Sequence, residues 1–139
     1  MAEFEDTRKG YERGDTELSV VVHIPDPVAD DDTPVLRFPS AGRVTGAILF
    51  PRTDVSASTA NYIDVGLRNG GTALTGAGTV IVAAQVGGTA GLTKDTAVPI
   101  PITGTATFAE NEFVVIDYDE TGTVAPEFRV QINYRLDAY

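Results

Sequence analysis

Cysteine and tryptophan are absent from this 139-residue chain, and histidine occurs once. Without cysteine there is no disulfide, no thiolate nucleophile and no thiolate-held metal. A chain of this length does not need such a staple, because it is long enough to bury a core of its own. A single histidine cannot build a zinc or cupin-like site, which takes several histidine and carboxylate ligands together. His23 also sits among Val20, Val21, Val22 and Ile24, so it reads as one residue of a strand. No run approaches the eighteen or more apolar residues of a membrane span. The start, MAEFEDTRKGYERGD, lacks the apolar stretch of a signal peptide.

Positive charge is also scarce. Ten Lys and Arg face twenty Asp and Glu, a net charge of −10. Phosphate-backbone binders gain affinity by replacing counterions with basic side chains, and anionic membrane surfaces ask for the same. Neither nucleic acid nor membrane is therefore an expected partner. The acidity is uneven: residues 1–32 hold ten acids and three bases, which accounts for −7 of the −10.

What the chain has in quantity is short alternating segments broken by turn residues. Residues 1–15 show neither strand nor helix periodicity and are expected to form an extended N-terminal arm. From residue 16 to 139 the pattern is that of one β domain. Strands are expected at Glu17–Ile24, Val35–Phe38, Arg43–Phe50, Asn61–Arg68, Gly78–Val86, Ala97–Thr103, Glu112–Tyr118 and Glu127–Leu136. Pro99 and Pro101 lie two apart, so both missing N–H groups point one way and their strand belongs at an edge. Asn69–Gly70–Gly71 is a turn, since left-handed backbone costs these residues little. The one helix candidate is Asp54–Ala60, with Asp54 or Ser56 as its cap. One-sided apolar strands need a second sheet to cover them. The expected fold is therefore all-β, a two-sheet β-sandwich of about eight strands. A jelly roll fits that number, and a seven-strand immunoglobulin-like topology is the alternative.

No constellation carries catalysis. Glu110/Glu112 and Asp117/Asp119 have the look of paired glycosidase carboxylates, but their expected places are strand ends. Asp30–Asp31–Asp32 has oxygen ligands for calcium without the spacing of an EF-hand, and reads as a solvated loop. GGTALTGAG is glycine-rich but no Gly-Lys-Ser/Thr follows, so it reads as a hairpin loop. The aromatics fall mostly at inward positions, with Tyr62 and Tyr118 as the expected exceptions. Neither a cofactor nor a metal is expected, and binding is the expected role.

The stretch FPSAGRVTGAILFPRTDVSASTANYIDVGLRNGGTALTGAGTVIVAAQ resembles the head decoration, or cement, proteins of tailed bacteriophages. The likeness lies in Ala41–Gly42–Arg43–Val44–Thr45–Gly46, Leu67–Arg68–Asn69–Gly70–Gly71–Thr72 and Gly76–Ala77–Gly78–Thr79–Val80. It extends over roughly residues 36–136, through Phe108–Val114 to a closing Asn133–Tyr134–Arg135. A Gly–Asp usual in the family is replaced here by Glu110–Asn111–Glu112. The resemblance implies a jelly roll on the outer surface of a virion's capsid, a homotrimer whose partner is the major capsid protein. The arm is then the natural clamp, with Phe4 and Tyr11 as anchors beside Arg8, Lys9 and Arg13. A receptor- or glycan-binding appendage on the same sandwich is the second reading.

Overall fold

A computed structural model describes residues 16–27, 32–72, 80–103 and 106–137. The strands are β1 (Leu18–Pro25), β2 (Asp32–Arg37), β3 (Gly42–Pro51), β4 (Tyr62–Asn69), β5 (Val80–Gly87), β6 (Val98–Pro99), β7 (Thr107–Phe108), β8 (Phe113–Thr121) and β9 (Glu127–Leu136). They form two antiparallel sheets, ordered β1-β9-β3-β6 and β2-β8-β4-β5, with β7 also pairing to β3. These are the two four-strand rows of a jelly roll, so the expected class and architecture are both observed. The arm expected over residues 1–15 lies outside the described residues.

Alternation places the core. On the first sheet Ile24, Val44, Leu49, Phe128, Val130 and Ile132 point inward, and on the second Ile63, Val65, Leu67, Val82, Val114 and Ile116 do so. Aromatic rings fill the two ends of this layer. Phe38 stacks on Phe108 at 4.6 Å between ring centres and meets the edge of Tyr134. Tyr118 packs against Phe128 at 5.9 Å. Tyr118 is thus a core residue, 1% exposed, and not the outward exception expected of it. Its hydroxyl reaches Glu120 at 2.8 Å, which satisfies the polar tip a buried tyrosine carries.

The proline pair marks an edge, as expected, but the strand around it is not continuous. β6 and β7 occupy one edge position beside β3, against Ile48–Leu49 and Gly42–Arg43 respectively. Between them the chain leaves the first sheet and bonds to the second: Ala84 N donates to Pro101 O and Thr103 N to Val82 O, both at 2.9 Å. Proline lacks a donor but keeps its carbonyl, and Pro101 uses it for this crossing. One side of the sandwich is thereby tied shut, while β1 and β2 remain as edges on the other.

Two further expectations are corrected. Asp54–Ala60 forms no helix. Val55 instead bridges to Leu92, and Ser58 Oγ accepts from Ala60 N and Asn61 N at 3.1 and 3.0 Å. Ser58 so placed offers the backbone a turn, the habit that makes serine a weak helix former. β2 begins at Asp32, inside the segment read as loop. Pro34 sits in it without cost because β2 is an edge strand, and a bulge lies between Pro34 and Leu36. Among the described residues no helix is long and apolar enough to cross a membrane.

Candidate interaction surfaces

The residues singled out for partner binding, Phe4, Arg8, Lys9, Tyr11 and Arg13, lie outside the described residues. The strand that follows them is described. Leu18 opposes Tyr134, and Gly42 opposes Leu136. The chain therefore enters the sandwich at the end that carries the β2–β3 and β7–β8 turns.

His23 lies on the outer face of β1. Its Nε2 is 3.0 Å from Glu127 Oε1, two residues along β9 from its direct cross-strand partner Arg129, and both side chains are about half exposed. Among the described residues no further side chain is hydrogen-bonded to these two side chains, though Arg129 lies directly opposite His23. Glu112 serves the turn it closes: its Oε1 accepts from Ala109 N at 2.6 Å and from Asn69 Nδ2 at 3.3 Å. Asn69 Oδ1 in turn accepts from Gly71 N at 2.8 Å. The two side chains knit the turn after β4 to the turn before β8. Asn111 takes φ +71° there, a left-handed backbone that asparagine tolerates better than most residues. Replacing Glu112 with Ala is expected to cost about 1–2 kcal/mol, since a buried-side acceptor for two donors is lost. Urea unfolding of the variant measures it.

Asp117 and Asp119 do not mark a strand end. Both lie inside β8, on the outer face of the second sheet, and Asp117 is 4% exposed. Sequence alone misplaces them because β8 runs three residues beyond the apolar stretch. Asp117 is opposed by Asp32 on β2 and by Gly66 on β4, while Asp119 is opposed by Asp64. Gly66 contributes no side chain, and a Cβ there would stand 2.9 Å from both Ala83 O and Gln85 Cγ of β5. Arg68 Nε lies 2.9 Å from Asp117 Oδ2, an ion pair whose N–H is not aligned as a hydrogen bond. Gln85 donates to Asp119 from β5. Of these four carboxylates on three strands, Asp117 holds the Arg68 guanidinium in contact and Asp32 feels its charge. Burial raises the Asp32 carboxyl above the ordinary range, and the hydrogen bond and charge of Asp117 add to it. Burial likewise raises Asp64, helped by the charge of Asp119 and opposed by the Gly88 N–H. Among the described residues no three His, Cys, Asp or Glu are arranged to hold a metal ion.

The outer face of the first sheet differs. Val21 is 54% exposed, the most exposed large apolar side chain among the described residues. With Phe50, Arg52, Asp95 and Arg129 it rims a shallow hollow of about 320 Å³. Arg52 Nη1 and Asp95 Oδ1 close one side at 3.2 Å. At the end opposite the chain entry, loop residues Asp54–Ser58, Asn61 and Thr123–Ala125 line a recess of about 500 Å³. Small side chains dominate it, so it offers shape and backbone groups more than chemistry.

Neither a protein-family profile nor a curated protein sequence matches the chain. Solved structures do match in fold. One is a chain of the acid-stable capsid structure of Helicobacter pylori bacteriophage KHP30, with TM-score 0.60 and 12% identity, covering 90% of this chain and 91% of that one. Another is a chain of the cyanophage Pam1 capsid asymmetric unit, with TM-score 0.54 and 19% identity, covering 87% and 84%. At such identity the likeness is one of architecture: this jelly roll, nearly end to end, is a fold also found in two phage capsids.

Proposed function

We propose that the chain is a structural protein of a phage virion. It binds the outer surface of the assembled capsid and stabilises the shell by bridging subunits of the major capsid protein. The observation that carries this reading is the near full-length likeness to chains of two phage capsid structures. The physics suits the role. A ligand that bridges several subunits binds the assembled state alone and stabilises it by mass action. A homotrimer would add avidity beyond any single contact. The net charge of −10 keeps the chain from competing for the packaged genome. The reading involves no cofactor and no catalysis: His23 is spent on Glu127 and Glu112 on a turn.

Residues 1–15 are the proposed clamp, with Phe4 and Tyr11 as anchors and Arg8, Lys9 and Arg13 as their charged company. Adding full-length or arm-deleted protein to undecorated heads tests both levels. Full-length protein is expected to occupy the heads and raise their rupture temperature. The deletion is expected to lose occupancy while its own melting curve is unchanged. Heads that ignore the full-length protein would sink the virion reading, and equal occupancy by both would sink the arm. Light scattering checks the trimer. A glycan-binding appendage finds less support, because stacking on sugars takes neighbouring aromatics on one surface. Phe50 and Tyr62, half-buried, lie on the outer faces of opposite sheets.

A further inference from the structure

The carboxylates on the outer face of the second sheet have too few donors to satisfy them. Asp32 opposes Asp117 directly across the β2–β8 ladder. Asp32 Oδ1 is buried and has no hydrogen-bond partner among the described residues. Among the described residues the guanidinium in reach, that of Arg68, is placed against Asp117. The remaining groups facing Asp32 offer no relief. Asp117 and Asp119 on β8 are acids that raise the Asp32 carboxyl further, and the charge of Arg68 opposes them without bonding to it. Asp64 on β4 is another acid on this face, and the Gln85 amide of β5 is spent on Asp119. Asp30 and Asp31 precede Asp32 in sequence and lie outside the described residues. Two carboxyl groups within hydrogen-bond reach, with no donor between them, are joined well only when they share a proton.

We propose that the Asp32–Asp117 pair is a proton latch, which fastens the start of edge strand β2 to β8 when it holds one proton and releases it when that proton is lost. The location suits a latch. β2 is an edge strand whose ladder to β8 is interrupted by a bulge between Pro34 and Leu36, and Asp32 is its first residue. Asp117, by contrast, is fixed in the middle of the sheet between β2 and β4. Repulsion between the two charges is therefore relieved by movement of β2. The sign follows from proton linkage. The Asp32 carboxyl is raised in the folded state, so the folded protein holds a proton that the unfolded chain has given up. The contribution is full at low pH and is lost as pH rises through the folded value. This sandwich edge is therefore tightened by acid. The inference does not depend on the virion role.

Amide hydrogen exchange of β2 at about pH 4.5 and about pH 8, corrected for the intrinsic rate, reads the latch. Protection of the β2 amides is expected to fall at least about tenfold relative to those of β9 over this range. In Asp32→Asn the amide donates permanently to Asp117, so the pH dependence is expected to vanish with β2 held closed. Asp64→Asn, which leaves the pair intact, is expected to keep it. Carbon-13 titration of the wild-type Asp32 carboxyl needs no variant at all, and should place its midpoint above the ordinary value of about 3.9. A midpoint at that value, β2 protection that ignores pH, or an unchanged dependence in Asp32→Asn would each overturn the proposal.

Discussion

Replacing Gly42 with Val is expected to cost this protein at least about 3 kcal/mol, enough to leave a domain of ordinary stability close to unfolding. Gly42 opens β3 with β7 on one side and β9 on the other. A Cβ there would stand 2.3 Å from Arg135 O, 2.8 Å from Phe38 Cε2 and 3.1 Å from Leu136 Cα. Two of these three atoms are backbone of β9, which is paired with β3 on one side and β1 on the other. The third belongs to a ring stacked on Phe108 and wholly buried. Nothing at the site is a flexible side-chain end that could swing away. Gly42→Ala shares the clash, and Gly46→Ala is the control, because its nearest neighbour would be Asn133 Nδ2 at 3.6 Å. In a chain of this size the Val variant should melt about 6–12 °C lower, and Gly46→Ala within about 2 °C of wild type. A Gly42→Ala variant that melts with Gly46→Ala would show that the strands yield more easily than their pairing implies.

Gly42 also shows how far such a sequence can be read. Its place after Ala41 was legible as part of a strand-opening motif, but the reason for glycine was not. That reason is a carbonyl more than ninety residues away, in a strand with its own clear pattern. Strands with strict alternation, such as Asn61–Arg68 and Glu127–Leu136, are legible to within a residue because period two fixes which side chains share a face. Proline and glycine, read as punctuation, mislead where tertiary context overrides them. Pro34 lies within β2, and Pro101 lends its carbonyl to the opposite sheet. The two-residue β7 has no length in which a period can show. The sequence turns Tyr118 outward and puts Asp117 at a strand end, whereas β8 runs on to Thr121 and carries both in its interior. Alternation sorts residues into two sets but does not say that an aspartate in the outward set is buried. The partner-binding residues of the arm rest on composition and resemblance alone, and the carboxylate cluster could not be foreseen, since it joins β2, β4 and β8 from three distant parts of the chain.

That cluster gives the second large effect. Arg68→Met is expected to destabilise the fold by about 3–5 kcal/mol near neutral pH, because it removes the cation from a buried carboxylate without removing the charge. The Arg68 side chain is 25% exposed and that of Asp117 only 6%, so water cannot replace the guanidinium where it matters. The methionine keeps most of the packing that the arginine stem provides. The loss should shrink in acid. With its cation gone, Asp117 would bind a proton more tightly folded than unfolded, so stability of the variant falls as pH rises through its folded value. The wild type slopes the same way through Asp32 and Asp64, whose carboxyls are raised, but less steeply. Adding Asp117→Asn to Arg68→Met removes the buried charge and should recover most of the loss. Denaturant unfolding of the three proteins at about pH 4.5 and about pH 7.5 separates charge from packing. A pH-independent deficit in Arg68→Met that the second substitution fails to repair would mean that the arginine acts by packing alone. If the charge account holds, the same variant should keep its Asp32–Asp117 proton to higher pH than the wild type. Its β2 amides would then stay protected where those of the wild type open.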